Sequence, residues 1–259
     1  MIKNFWIFIT FLVFSSTVFA DDMRFVQISD ARFSADNEVN ILSEAIKDIN
    51  KQKNVEFVVF TGDNLSKPAK KDLEEFLKET KQLKCPFYVV LGEHDVNKHK
   101  DLSKAQYFHL IRKSTGKCKQ STPNYIFEKH NLVFILLDGS KDVIPSTNGF
   151  YKSETLDWLD VQLSANQDKK VFIFQHFPIV APSKKENYYT YKPEVYLTLL
   201  KKHNNVQAIF AGHFGINKEE KVNGITHVST SGLPTYKIID ILDYETDNPT
   251  IWSTLKEVK

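Results

Sequence analysis

Five short apolar runs in this chain end in the same kind of residue. Phe25-Val26-Gln27-Ile28-Ser29 leads into Asp30, and Phe57-Val58-Val59-Phe60-Thr61-Gly62 into Asp63. Tyr88-Val89-Val90-Leu91-Gly92-Glu93 leads into His94, Phe172-Ile173-Phe174-Gln175 into His176, and Ile209-Phe210-Ala211-Gly212 into His213. Runs this short, rich in β-branched and aromatic residues, read as strands buried on both faces. Ligands in open α/β sheets bind beyond the carboxyl ends of the strands, so these carboxylates and imidazoles are expected to converge on one rim. The intervals of 33 residues from Asp30 to Asp63 and 31 from Asp63 to His94 each fit one strand-helix crossover. Oxygen and imidazole donors without thiolates suit manganese, iron or zinc.

The remaining periodicity supplies the crossovers. It predicts strands over Arg24 to Ser29, Phe57 to Phe60 and Phe87 to Leu91. Between them lie one helix with Val39, Ile41, Leu42, Ala45, Ile46 and Ile49 on one face, and another marked by Leu73, Phe76, Leu77 and Leu83. A helix near Ser103 to Lys113 is expected next, then a hairpin turning at His130-Asn131 and a helix over Ser153 to Leu163. Strands at Val171 to Phe174 and Ala208 to Ala211 flank a helix at Glu194 to Lys202, and mostly β material follows from Thr226 to Leu255. No linker or internal repeat intervenes, so 21–259 reads as one domain.

Composition excludes some classes. With 42% hydrophobic residues among 259, the chain can bury a proper core and is not disordered. A formal charge of +2 gives no basic field, which excludes bulk nucleic-acid binding. Residues 1–20 combine Lys3, an apolar run from Phe5 to Phe14 and a Val18-Phe19-Ala20 ending, the pattern of a cleavable export signal. The mature protein is then expected to be periplasmic or secreted, with no transmembrane segment. In an oxidising compartment Cys85 and Cys118 can close one loop worth roughly 3 to 4 kcal/mol. Equally, they can stand as a buried thiol at the foot of a strand and a free thiol in a loop.

Taken together, Asp30-x-Arg32, Gly62-Asp63, Gly92-Glu93-His94-Asp95, His176 and Gly212-His213-x-Gly215 resemble the calcineurin-like metallophosphoesterases over essentially the whole mature chain. The resemblance implies a four-layer α/β/β/α sandwich and hydrolysis of a phosphomonoester or phosphodiester at a two-metal centre. It also implies that Asp30, Asp63, Glu93, His176 and His213 are metal ligands and that His94, with Asp95 beside it, assists catalysis.

Three positions depart from the family pattern. Arg32 stands where the first motif has His, Glu93 where the third has Asn, and Gly215 where the last has His. Both lost histidines belong to the metal that Asp30 serves, which leaves Asp63, Glu93, His176 and His213 as one complete ligand set. Arg32 is then expected either to pair with Asp30, replace part of the missing ion's charge and grip a phosphate oxygen, or to turn outward and leave the second position empty. The expected protein is an exported phosphoesterase with one or two divalent ions and a small phosphorylated substrate. The alternative is an inactive relative that binds a phosphorylated ligand or a protein partner. The loops Lys141 to Tyr151 and Ser183 to Tyr191 are expected to wall the site, the latter through Tyr188, Tyr189 and Tyr191.

Overall fold

The computed structural model describes residues 22–37, 40–114, 116–184 and 188–258. The export-signal segment at 1–20, Val39 of the first helical face, the middle of the 183–191 loop and the two ends of the 21–259 domain lie outside the described residues.

Two sheets form. The first has the order β11-β10-β1-β2-β3, built from β1 (Met23–Ile28), β2 (Val55–Thr61), β3 (Phe87–Val90), β10 (Thr235–Leu242) and β11 (Thr250–Glu257). The second has the order β4-β5-β6-β7-β9-β8, from β4 (Tyr125–Lys129), β5 (Leu132–Leu136), β6 (Lys170–Phe174), β7 (Val206–Ala211), β8 (Lys218–Val222) and β9 (Ile225–Ser229). Strands β1, β2 and β3 run parallel, as do β5, β6, β7 and β9, so the ends that carry the motifs share one rim within each sheet.

Side-chain alternation builds the four layers. Phe25, Phe57 and Val59 point to one face of the first sheet, and Leu132, Phe134, Leu136, Phe172, Phe174 and Phe210 to the facing side of the second. Together they form an aromatic core between the sheets. Phe25 and Phe57 stack at 5.0 Å, and Phe174 meets Phe25 edge-on at 5.4 Å. Val26, Ile28, Val58 and Phe60 take the opposite parity and pack under α1 (Ile41–Ile49), α2 (Lys70–Thr80) and α3 (Lys104–Ser114). Val133, Ile135, Val171 and Ile173 pack under α4 (Ser153–Ala165) and α5 (Pro193–Leu200). The α/β/β/α order is thus written in the period-two pattern of doubly buried strands.

Local signals fix the joints. Asn40 caps α1, its side-chain oxygen accepting from the Ser43 N–H at 3.1 Å. His130 and Asn131, both at positive φ of 51° and 59°, make the tight turn of the β4–β5 hairpin. Two elements differ from expectation. Helix α2 stops at Thr80, and Leu83 is buried from the turn beyond it. Strand β8 was not anticipated, because Lys218-Glu219-Glu220-Lys221-Val222 is a charged edge strand without apolar alternation.

Cys85 and Cys118 are both free thiols, so the disulfide alternative is not realised. Cys118 stands free in a loop as expected but is buried there, and burial pushes its thiol up to about 12, whereas Cys85 is only half-buried. Burial raises the Cys85 thiol as well. Thiol titration of the denatured, unreduced protein is expected to find two reactive cysteines, with Cys118 unreactive in the native fold; finding none under denaturing conditions would contradict this.

Candidate metal centre

The rim is assembled by backbone pairing that continues past the strand ends. The Asp30 N–H donates to the Gly62 carbonyl at 3.0 Å, and the Arg32 N–H to the Asp63 carbonyl at 2.9 Å, so the exits of β1 and β2 lie side by side. Asp30, Arg32, Asp63 and His213 all adopt left-handed φ, at 45°, 44°, 51° and 71°. Such conformations cost of order 1 to 3 kcal/mol each and gather where a site needs side chains aimed unusually. Close approach also demands glycine. A Cβ on Gly62, itself at φ 93°, would lie 2.4 Å from His176 Nδ1, and one on Gly92 would lie 2.2 Å from Asp63 Oδ1.

Glu93, His176 and His213 bring one donor atom each to within 4.8 Å of the others. The Nδ1–H of His176 donates to the Thr61 carbonyl at 2.7 Å, which turns Nε2 toward Glu93 Oε2 at 3.1 Å and Asp63 Oδ1 at 3.6 Å. Holding one ring nitrogen on a carbonyl is how a ligand imidazole is oriented. His213 Nδ1 lies 3.3 Å from Glu93 Oε1 without hydrogen-bond geometry, and neither of its buried ring nitrogens has a hydrogen-bond partner. A buried imidazole left unpaired is costly, and a cation is the partner this donor set lacks. Phe177 packs 4.8 Å from both rings and Tyr188 4.9 Å from His213, an apolar wall against water. The set fits a divalent ion with oxygen and nitrogen ligands.

The charges already lean that way. Burial pushes the Glu93 carboxyl up, but His176 and His213 outweigh it and hold the group well below the usual carboxylate range. Burial opposes the His176 imidazolium, yet Asp63, then Glu93 and Asp30, raise it to about 10. In the metal-free protein, protons on imidazole therefore balance the carboxylates.

A second donor group joins Asp30, Asp63 and His176. Arg32 faces it, with Nη2 2.7 Å from Asp63 Oδ2 and 3.8 Å from Asp30 Oδ1. Its main partner is therefore Asp63 and not, as the sequence led us to expect, Asp30. Asp30 Oδ2 accepts instead from the Ser29 hydroxyl at 2.5 Å and the His213 N–H at 3.0 Å. Arg32 Nη1 lies 3.1 Å from His94 Nε2, and His94 Nδ1 lies 3.0 Å from the Ser66 carbonyl. A guanidinium only donates, so Nε2 accepts and the Nδ1–H goes to Ser66.

Asp95 is placed differently from its neighbours. It has no exposed surface, and it accepts from the Leu65 N–H at 2.9 Å, the Gly92 N–H at 2.8 Å and the Asn64 amide at 3.2 Å. These bonds tie the Gly92–His94 turn to the segment after β2. Of the 183–191 loop, Tyr188 lies over His213, whereas Tyr191 is exposed and stands beside Phe150. The carbonyls of Thr61 and Ser66 escaped sequence reading, since backbone acceptors leave no residue signature; Phe177, one residue after His176, escaped it too. A Cβ at Gly215 would meet nothing within 4 Å, so the space directly beside that position is open.

A family model described as calcineurin-like phosphoesterase matches residues 23–216. A protein of Arcobacter nitrofigilis described as a probable glycerophosphodiester phosphodiesterase is 30% identical over 169 residues, which are 61% of this chain and 58% of that protein. The chain therefore spans little more than half the length of this relative. The crystal structure of a dimetal phosphatase from Danio rerio matches with a TM-score of 0.64 at 16% identity, covering 92% of this chain and 99% of that one. GAP50 of Plasmodium, titled the anchor in the inner membrane complex, matches with a TM-score of 0.56 at 17% identity, covering 92% and 89%. At these identities the two structures speak for the fold alone.

The proton balance of the metal-free centre has a sign that can be measured. His176 is raised on folding, so its contribution is full below about pH 6.5 and is lost as the pH climbs through about 10. Glu93 is lowered, so its contribution is present above about pH 4.5 and lost in acid. The melting temperature of chelator-treated protein is expected to peak between these limits and fall toward pH 10, and His176→Asn should flatten the alkaline limb.

Proposed function

The chain belongs to the calcineurin-like phosphoesterase family, and from that premise we propose that it is an exported phosphoesterase with a reduced, single-ion centre. The observation that carries the reading is the buried His213 imidazole, without a hydrogen-bond partner at either nitrogen and set against Glu93 and His176. Glu93, His176 and His213, with Asp63 alongside, would hold the ion. When bound, a divalent ion there supplies Lewis acidity toward a phosphoryl oxygen.

The chain's own residues supply the rest. Asp63, fully buried, accepts the His94 N–H at 3.0 Å and so fixes the Gly92–His94 turn against the donor cluster. Phe177 and Tyr188 exclude water from the His213 side. His94, which the resemblance implies assists catalysis, here presents an acceptor to Arg32 and orients its guanidinium. Hydrolysis of a phosphodiester is favoured by the description of the Arcobacter relative. Among the described residues no helix is long and apolar enough to cross a membrane. Export rests on the sequence pattern of residues 1–20.

A second reading has its own observation. Arg32 sits on the second donor group, as it would in a phosphoesterase fold kept for binding a phosphorylated ligand or partner without turnover.

One assay separates the two readings. Bis(p-nitrophenyl) phosphate should be hydrolysed by protein loaded with manganese, iron or zinc and not after chelation, with His213→Ala lowering both ion affinity and kcat/KM by roughly 10- to 100-fold. No turnover with any of the three ions, alongside retained phosphate binding, would favour the binder. Mass spectrometry of the exported protein should find an N-terminus at Asp21; retention of residues 1–20 would contradict a cleaved signal.

A further inference from the structure

Arg32 is not an ordinary surface arginine. Its backbone is held at a left-handed φ of 44°, its N–H donates to the Asp63 carbonyl at 2.9 Å, and its carbonyl accepts the Ser66 hydroxyl. The segment is therefore clamped on both sides in a conformation that a free loop would leave. From it the guanidinium reaches the centre of the rim, 2.7 Å from Asp63 Oδ2, 3.8 Å from Asp30 Oδ1 and 3.1 Å from His94 Nε2. Those atoms include two of the three groups that make up the second donor cluster.

We propose that Arg32 is the resident cation of that half of the centre and the group that binds the phosphate of the substrate. The proposal rests on the phosphoesterase reading above and deepens it. Asp30 and Asp63 would otherwise stand as two carboxylates on one narrow rim, nearly or wholly buried, with side-chain exposures of 9% and 0%. A fixed guanidinium between them offsets one of the two negative charges without an ion and repels a divalent cation that would take its place. Hydrogen bonds to Asp63 and His94 use two of its five N–H groups. The side chain remains 45% exposed, so further donors face the mouth of the site. Planar donors in a fixed position, next to an ion site on Glu93, His176 and His213, suit an oxyanion with one oxygen on the ion and another on the arginine.

Holding His94 as an acceptor is part of this arrangement. With Nδ1–H on Ser66 and Nε2 on Arg32, the imidazole fixes the guanidinium plane. Stabilisation of charge on the phosphate then comes from a cation that is covalently part of the chain.

The test counts ions and titrates inorganic phosphate on wild type, Arg32→Ala and Arg32→Gln. Wild-type protein equilibrated with manganese is expected to carry one ion per chain by elemental analysis. Arg32→Ala should keep that ion and lose phosphate affinity by about ten-fold or more, the scale of a charge-assisted hydrogen bond. Arg32→Gln keeps a donor for Asp63 without the charge and should lose phosphate affinity too, which covers the case in which the alanine variant does not fold. Two ions on wild type, or unchanged phosphate affinity in the folded variants, would overturn the proposal. An ion-free wild type would defeat the single-ion centre alone, because phosphate titration of the metal-free protein still reads Arg32.

Discussion

Asp63 is a carboxylate with no exposed surface, and a charge so placed must be answered within a few ångströms. The answers organise the rim. One oxygen takes the His94 N–H at 3.0 Å and lies 3.6 Å from His176 Nε2; the other takes the Arg32 guanidinium at 2.7 Å. Gly92 is fixed by the same atom, since a Cβ there would collide with it. The turns after β1, β2 and β3 and the histidine after β6 are thus all arranged around one buried charge.

The fold can hold such a charge because the layers beneath it are apolar throughout. Phenylalanines of both sheets interlock between them, and each strand's opposite parity packs under helices. A rigid platform lets four non-glycine residues at the rim keep left-handed backbones, whose cost the packing below offsets. Stability made in the core is thereby converted into geometry at the strand ends.

The two halves of the centre differ in kind. Around Glu93, His176 and His213, imidazole nitrogens stand buried and in part unpaired, the condition of donors awaiting a cation. Around Asp30 and Asp63 the cation is covalently part of the chain. An ion can be removed by a chelator or lost to competition; a guanidinium cannot, but it lacks the Lewis acidity to activate water.

Much of this was legible in the residues. Apolar runs alternating with amphipathic stretches give an α/β domain with doubly buried strands, and a run followed by Asp, Glu or His puts that residue at a strand exit, because both patterns are properties of local backbone geometry; the four-layer order came from the family resemblance. Arg32, Glu93 and Gly215 stand out only against the motifs of the family that the chain resembles. Spacing along the chain cannot say which of two neighbouring carboxylates an arginine reaches, and the tertiary structure gave Asp63 where the sequence pointed to Asp30. Nor can it tell that Asp95, adjacent to His94, turns inward to three N–H donors, or that Cys85 and Cys118 remain unbridged. Those outcomes depend on distances between segments remote in sequence, set only when the sheets pack and the strand exits are brought side by side.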